Sequence, residues 1–277
     1  MTLDANASPP PQVKKKLHKI LVEAVNAMPE AHALELATQM AEPVGARLVG
    51  FFVENQALID LADLPFASEI SFSGTLRPLE RERLIRQWRG QAIQTEKAFA
   101  AVANAAGLDW SFEVRRGRPL FSMLEEAERE DVVVFHTSSR LTTLGDVARA
   151  VRAATSDINA DVLLTGSTRR QIIGRADATL VVLDDMTSRG EACCHAAKTL
   201  AEKRGMICVS LPCRNADLVD LAEQVRQMHP ALIVADGASP LFVKDKNVTT
   251  FSLAIGCPVL LFGSERRIKI SEKHAQN

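Results

Sequence analysis

The segment DVVVFHTSSRLTTLGDVARAVRAATSDINADVLLTG (131–166) decides the architecture. It opens on Val132, Val133, Val134 and Phe135, an apolar, β-branched run too short for a helix, and closes on Val162, Leu163 and Leu164. Between them Leu144, Val147, Val151 and Ala154 recur at helical spacing. Two apolar runs joined by an amphipathic helix make a βαβ unit. Runs that do not alternate with polar residues belong to a parallel sheet covered on both faces.

The same grammar extends in both directions. Upstream, KILVEAV (19–25) and ARLVGFFVE (46–54) read as buried strands around a helix carrying Leu34, Ala37, Ala41 and Val44 and closed by Gly45. Leu84, Trp88, Ala92, Phe99, Val102 and Ala106 mark a long helix, WSFEVRRG (110–117) a strand, and 119–129 a short helix. Downstream, TLVVLDD (179–185), MICVSLP (206–212), ALIVADG (231–237) and CPVLLFG (257–263) are strands, with helices predicted over 191–203 and through Leu218, Leu221, Ala222, Val225 and Met228. ADVLLTG (160–166) and CPVLLFG share V-L-L-x-G, and each follows a helix that follows a buried strand. The second run of elements is shorter by about one long helix and one strand. The reading is α/β: two tandem domains, each a mostly parallel sheet with helices on both faces, the second trimmed. Domain 1 spans 18–167 and domain 2 spans 177–264, with tails at 1–17 and 265–277.

Composition narrows the function classes. The 277 residues carry 33 basic and 34 acidic side chains, a formal charge of −1, which gives no electrostatic case for nucleic acid or an anionic membrane. No apolar run approaches the roughly 20 residues that span a bilayer. The opening MTLDANASPPPQVKKK places acidic and proline residues where a signal peptide is apolar, so the expected location is cytoplasmic. The five cysteines, Cys193, Cys194, Cys208, Cys213 and Cys257, form no CxxC pair and read as small apolar filler in a reducing compartment.

Taken in order, KILVEAV with ALELATQMAEPVGARLVGFFVE, EVRRGRP (113–119), DVVVF with LGDVARAV (144–151), LVVLDD, ALIVADG and CPVLLF resemble a tandem universal stress protein. The resemblance covers nearly all of 19–263 and implies a Rossmann-like fold of the adenine nucleotide alpha hydrolase type. Many members of that family bind ATP at the carboxyl ends of the strands, through G-x2-G-x9-G-[ST] after the fourth strand and an Asp ending the first. Such a loop needs glycine because backbone N–H groups approach the phosphates closely, with help from a helix amino terminus. In this sequence His136 and Ser139 stand at or near the first two glycines, Gly145 is the third, and Asp146 replaces the Ser or Thr. Asn26 or Glu23 stands for the first-strand Asp. The pocket the resemblance implies is Asn26, Val53, His136, Ser138, Ser139, Gly145 and Asp146, with no cofactor expected and ATP or AMP as the alternative.

Three other features enter as candidates. Asp184, Asp185 and Asp236 end neighbouring strands, as metal ligands or as turn caps. Arg115, Arg116 and Arg118 surround Gly117, as an anion site or a solvated turn. The segment 55–78 holds Leu58, Ile59, Leu61, Leu64, Phe66, Ile70 and Phe72, too apolar for a simple linker. It covers the ligand edge, meets a partner, or packs as an accessory helical hairpin on its own domain.

With no catalytic set in view, the expectation is a non-enzymatic stress-response accessory protein that binds a small ligand or a protein partner the sequence does not identify. An ATP- or AMP-binding regulator is the alternative, and a weak metal-assisted hydrolase the second. The two final strands, 162–165 and 259–262, are expected to pair antiparallel within the chain through Val162, Leu164, Val259 and Leu261. A homodimer through another surface, such as 55–78, stays open.

Overall fold

The computed structural model describes residues 18–24, 31–71, 73–137, 143–166, 178–242 and 247–263. In chain order the first half contains β1 (Lys19–Glu23), α1 (Ala31–Ala41), β2 (Arg47–Asn55), α2 (Gln56–Ala62), β3 (Ser68–Ile70), β4 (Leu76–Pro78), α3 (Arg81–Ala105), β5 (Trp110–Gly117), α4 (Pro119–Leu124), β6 (Val132–His136), α5 (Leu144–Arg152) and β7 (Asp161–Thr165). The second contains β8 (Thr179–Asp184), α6 (Ser188–Arg204), β9 (Ile207–Pro212), α7 (Leu218–Gln227), β10 (Leu232–Asp236), α8 (Asn247–Ile255) and β11 (Val259–Phe262).

Several boundaries have a local cause. Gly45 takes a left-handed conformation (φ 60°) after the 3-10 turn that ends α1. Gly205 does the same after α6 (φ 64°), where a side chain would be strained. Thr187 and Asp217 cap α6 and α7 by accepting from backbone N–H groups. The helix expected over 119–129 stops at Leu124, followed by turns in which Glu130 takes a positive φ. α5 runs into a π-helical turn, Ala153–Ile158, that the periodicity of the sequence did not signal.

Among the described residues nine strands form one sheet in the order β5-β2-β1-β6-β7-β11-β10-β8-β9. Within each half all neighbours are parallel. At the centre β7 and β11 run antiparallel, with Val259 opposite Leu164, Leu260 opposite Leu163 and Leu261 opposite Val162. The expected pairing is therefore present, and it merges the halves into one continuous sheet. Alternation sends Val162, Leu164, Val259 and Leu261 into the core beneath α4, α5, α7 and α8, while Leu163 and Leu260 enter the core beneath α1, α3 and α6. All six are at most 2% exposed.

The seam is locked by close backbone approach. A Cβ on Gly237 would stand 2.6 Å from Thr155 Cγ2, and one on Gly263 would stand 2.7 Å from the Asn159 carbonyl carbon. Gly263 N–H also donates to Asp161 Oδ1 at 3.0 Å. The π-helical turn and the residues after it thus press against the far half. On the opposite face the Arg204 guanidinium of α6 donates to the Gln39 carbonyl of α1.

The two halves differ at their outer strands. β2 is covered on its outer side by β5 over eight residue pairs and roofed by α3. Its counterpart β9 leads directly into α7 and forms the outer edge of the sheet.

Candidate functional site

In an open α/β sheet, ligands settle beyond the carboxyl ends of the strands, where the strand order reverses. In the first half this point lies between β1 and β6. Of the implied pocket, Asn26, Ser138 and Ser139 lie outside the described residues.

The remaining four do not share one role. Val53 is buried in the core with Phe51, Leu120 and Met123. His136 is buried at the end of β6, its Nδ1 3.2 Å from Thr165 Oγ1, and that hydroxyl donates to the Phe135 carbonyl at 3.3 Å. The imidazole therefore belongs to the junction of β6 and β7. Gly145 sits in the first turn of α5, where an added Cβ would have no neighbour closer than Thr143 Oγ1 at 3.7 Å. No close backbone approach demands glycine there.

Asp146 is the informative residue. Thr143 Oγ1 accepts from Asp146 N–H at 3.1 Å, and Asp146 Oδ2 accepts from the Thr143 hydroxyl at 2.8 Å and its N–H at 3.3 Å. This capping box satisfies the orphan donors at the start of α5. Arg149 Nη2 donates to Asp146 Oδ1 at 2.5 Å, and Arg118 stands 3.6 Å from the same oxygen. The Thr143 hydrogen bond, seconded by Arg149, holds the Asp146 carboxyl below its ordinary value against the opposing effect of burial. A carboxylate of the chain itself therefore occupies the amino terminus of α5. Thr143 and Arg149 were missed in the sequence reading, although T-x-x-D (143–146) is a legible capping signal.

The arginine cluster is likewise internally matched. Arg115 donates to Glu113 Oε2 at 2.9 and 2.8 Å and to Glu126 Oε1 at 2.7 Å, bonds that raise its pKa, Glu126 contributing most. Arg116 holds Glu54 Oε2 through two donors at 3.0 and 2.7 Å. Arg118 lies 4.3 Å from the centre of the Phe121 ring. An anion site at Arg115 and Arg116 is replaced by ion pairs.

In the second half, Asp184 Oδ1 accepts from Met186 N–H at 2.9 Å, Asp185 Oδ1 from the Thr187 N–H and hydroxyl at 3.1 and 2.6 Å, and Asp236 Oδ1 from Ala238 N–H at 2.9 Å. They cap turns. Among the described residues no group of three or more His, Cys, Asp or Glu side chains is placed to hold a metal ion. All five cysteines remain thiols, and only Cys208 is even half-buried rather than buried. Burial, with Asp185 and Asp184 nearby, pushes the Cys213 thiol up to about 12, the wrong direction for a nucleophile.

The segment 55–78 is not a helical hairpin. It is α2 followed by the β3–β4 hairpin, a correction that follows from strands of only three residues, too short to show alternation. Ile59 anchors α2 on Phe52, Trp88 and Ala92. On the hairpin Glu69 pairs with Arg77 at 2.5 Å and with Arg83. Phe66, Ile70 and Leu76 stay 77, 75 and 68% exposed, and Ile70 lies directly opposite Leu76.

No protein-family model matches the chain, and no curated protein matches it either. Its structure, however, is similar to solved ones. A universal stress protein from Archaeoglobus fulgidus DSM 4304 is 12% identical, with 89% of this chain and 96% of that one covered at a TM-score of 0.62. A putative universal stress protein from Pseudomonas aeruginosa UCBPP-PA14 is 12% identical, with 95% and 99% covered at 0.56. The cytoplasmic domain of a prokaryotic cation chloride cotransporter is 10% identical, with 90% and 96% covered at 0.51. The chain has the fold of the universal stress proteins over most of its length. No helix among the described residues is long and apolar enough to cross a membrane.

Proposed function

We propose that this chain is a non-catalytic accessory protein of a stress response, working through a protein partner or a small ligand rather than through ATP held in a phosphate loop. The observation that carries the reading is the Asp146 carboxylate bound into the amino terminus of α5. A carboxylate and a phosphate charge about 4 Å apart repel by about 4 kcal/mol at an effective dielectric of 20. Arg118 and Arg149 already face that carboxylate, so they are committed to it before any ligand arrives. The fold shared with two universal stress proteins supports the stress-related part of the reading. The fold shared with a transporter's cytoplasmic domain supports a regulatory partner. On this chain the exposed Phe66, Ile70 and Leu76 offer such a partner apolar side chains, with Ile70 and Leu76 side by side on one face of the hairpin.

The test is a thermal melt with magnesium and millimolar ATP or AMP. A ligand at roughly 100 times its dissociation constant stabilises by about 2.7 kcal/mol. For a protein of this size that moves the midpoint by roughly 5 °C. The expected result is no movement with either nucleotide. A shift of that size with either nucleotide would overturn the reading.

A further inference from the structure

We propose that two copies of the chain pair through β9, antiparallel about a twofold axis at Val209, so that two nine-stranded sheets become one. The starting point is the unequal treatment of the two outer strands. β5 carries Glu113, Arg115 and Arg116, charges of the kind that protect a sheet edge from unwanted pairing. β9 reads ICVSLP: it has no charged residue and, among the described residues, pairs on one side only, with β8. The first half shows what this fold places beyond the equivalent strand, namely another strand.

The occupant follows from the pattern of β9 itself. Ile207 N–H donates to the Ala178 carbonyl and Cys213 N–H to the Asp184 carbonyl, so the odd-numbered residues address β8. The N–H and C=O groups of Cys208 and Ser210 therefore point outward. About Val209 the sequence is a chemical palindrome: apolar Ile207 and Leu211 flank small polar Cys208 and Ser210. In the twofold register Cys208 lies opposite Ser210 of the second copy, and each such pair exchanges two main-chain hydrogen bonds. Ile207, which is 55% exposed, meets Leu211, and Val209 meets its own counterpart. Pro212 has no N–H and ends the ladder where the palindrome ends. Shifting the centre to Ser210 places Pro212 inside the ladder, and shifting it to Cys208 leaves Leu211 opposite Gly205, so Val209 is the centre that uses every group. A strand of this length buries an area at the low end of specific interfaces, and the dimer is expected to dissociate on the order of micromolar.

The experiment is sedimentation equilibrium on the full chain. The wild type is expected at twice 30.2 kDa at high concentration. Ser210→Pro removes an outward N–H that β8 does not use, and Ile207→Lys places a charge opposite Leu211. Each is expected to weaken association at least tenfold while leaving the melting temperature of the monomer within a few degrees. Val209→Cys supplies a readout independent of those variants. Opposed residues at a non-hydrogen-bonded position have Cα atoms about 4.5 Å apart, within disulfide reach. Mild oxidation should then give a reductant-sensitive dimer, which neither the wild type nor Val114→Cys on β5 gives. A wild type that stays monomeric at roughly a hundred times the micromolar scale expected here would overturn the proposal and leave the edge to a strand from another protein. So would a dimer indifferent to both substitutions, or cross-linking through Cys208 in the wild type.

Discussion

Leu164→Ala tests whether the central seam holds the two halves as one cooperative body. Leu164 has no exposed surface, faces Val259 across the antiparallel pair and shares its core with Phe135 and Leu261. Truncation removes three carbons, about 2.4 kcal/mol at about 0.8 kcal/mol per buried methylene. Both flanking strands are pinned by parallel neighbours, so the void cannot close easily. If roughly 70 Å³ persists, 24 cal/mol per Å³ adds about 1.7 kcal/mol, for a total of about 4 kcal/mol. Val259→Ala, with two carbons lost, should cost about 2.5 kcal/mol on the same reasoning. Because the two share one void, the double variant should fall short of the sum by about 0.5–1 kcal/mol. Urea denaturation followed by both far-ultraviolet circular dichroism and tryptophan emission reads this directly. Trp88 and Trp110 report only the first half, whereas dichroism reports the whole. Coincident transitions, shifted together by a substitution on either side of the seam, are expected. Two separated transitions in the wild type, or a loss below about 1 kcal/mol for Leu164→Ala, would refute the reasoning.

Thr143→Ala should cost about 1 kcal/mol in chemical denaturation through loss of the cap on α5. Gly145→Ala should leave stability unchanged or raise it by up to about 1 kcal/mol, because the site is open and helical; a loss above about 1 kcal/mol would show that glycine is required there. The Asp146 carboxyl is held below its ordinary value in the folded protein, so its stabilisation is present above the unfolded value and is lost as pH falls through the folded one. The stability gap between wild type and Asp146→Asn should accordingly shrink in acid titrations below about pH 4, and a gap that widened there would contradict the assignment. Gly237→Ala should cost about 1–3 kcal/mol by driving a methyl into Thr155, measurable in the same urea series.

The sheet was legible because its strands are buried on both faces and therefore read as continuous apolar runs, as in Val132 to Phe135 and Val162 to Leu164. The seam was legible too, since two short apolar final strands each lacked a neighbour within their own half. What stayed hidden was non-local or too short. Glu54 and Arg116 lie 62 positions apart, so no local pattern announces their ion pair. β3 and β4 show no period in three residues, and the π-helical turn at Ala153–Ile158 continues an apolar stripe that looks helical from composition alone. Of the candidate site, the capping pattern T-x-x-D (143–146) is readable in the sequence, whereas the partnership of Asp146 with Arg149 and Arg118 required coordinates.

Antiparallel joining of two parallel half-sheets fixes the polarity of the whole plate. The strands of the first half deliver their carboxyl ends to one rim, and those of the second half to the opposite rim. The points of strand-order reversal, between β1 and β6 and between β8 and β10, are four strand intervals apart. At about 4.8 Å per interval that is ~19 Å across the sheet, and five residues at ~3.3 Å add ~17 Å along it. Molecules docked at the two rims would stand ~25 Å apart with a rigid, solvent-free plate between them. Neither could crowd the other out, and their spacing would be set by main-chain geometry instead of a tether.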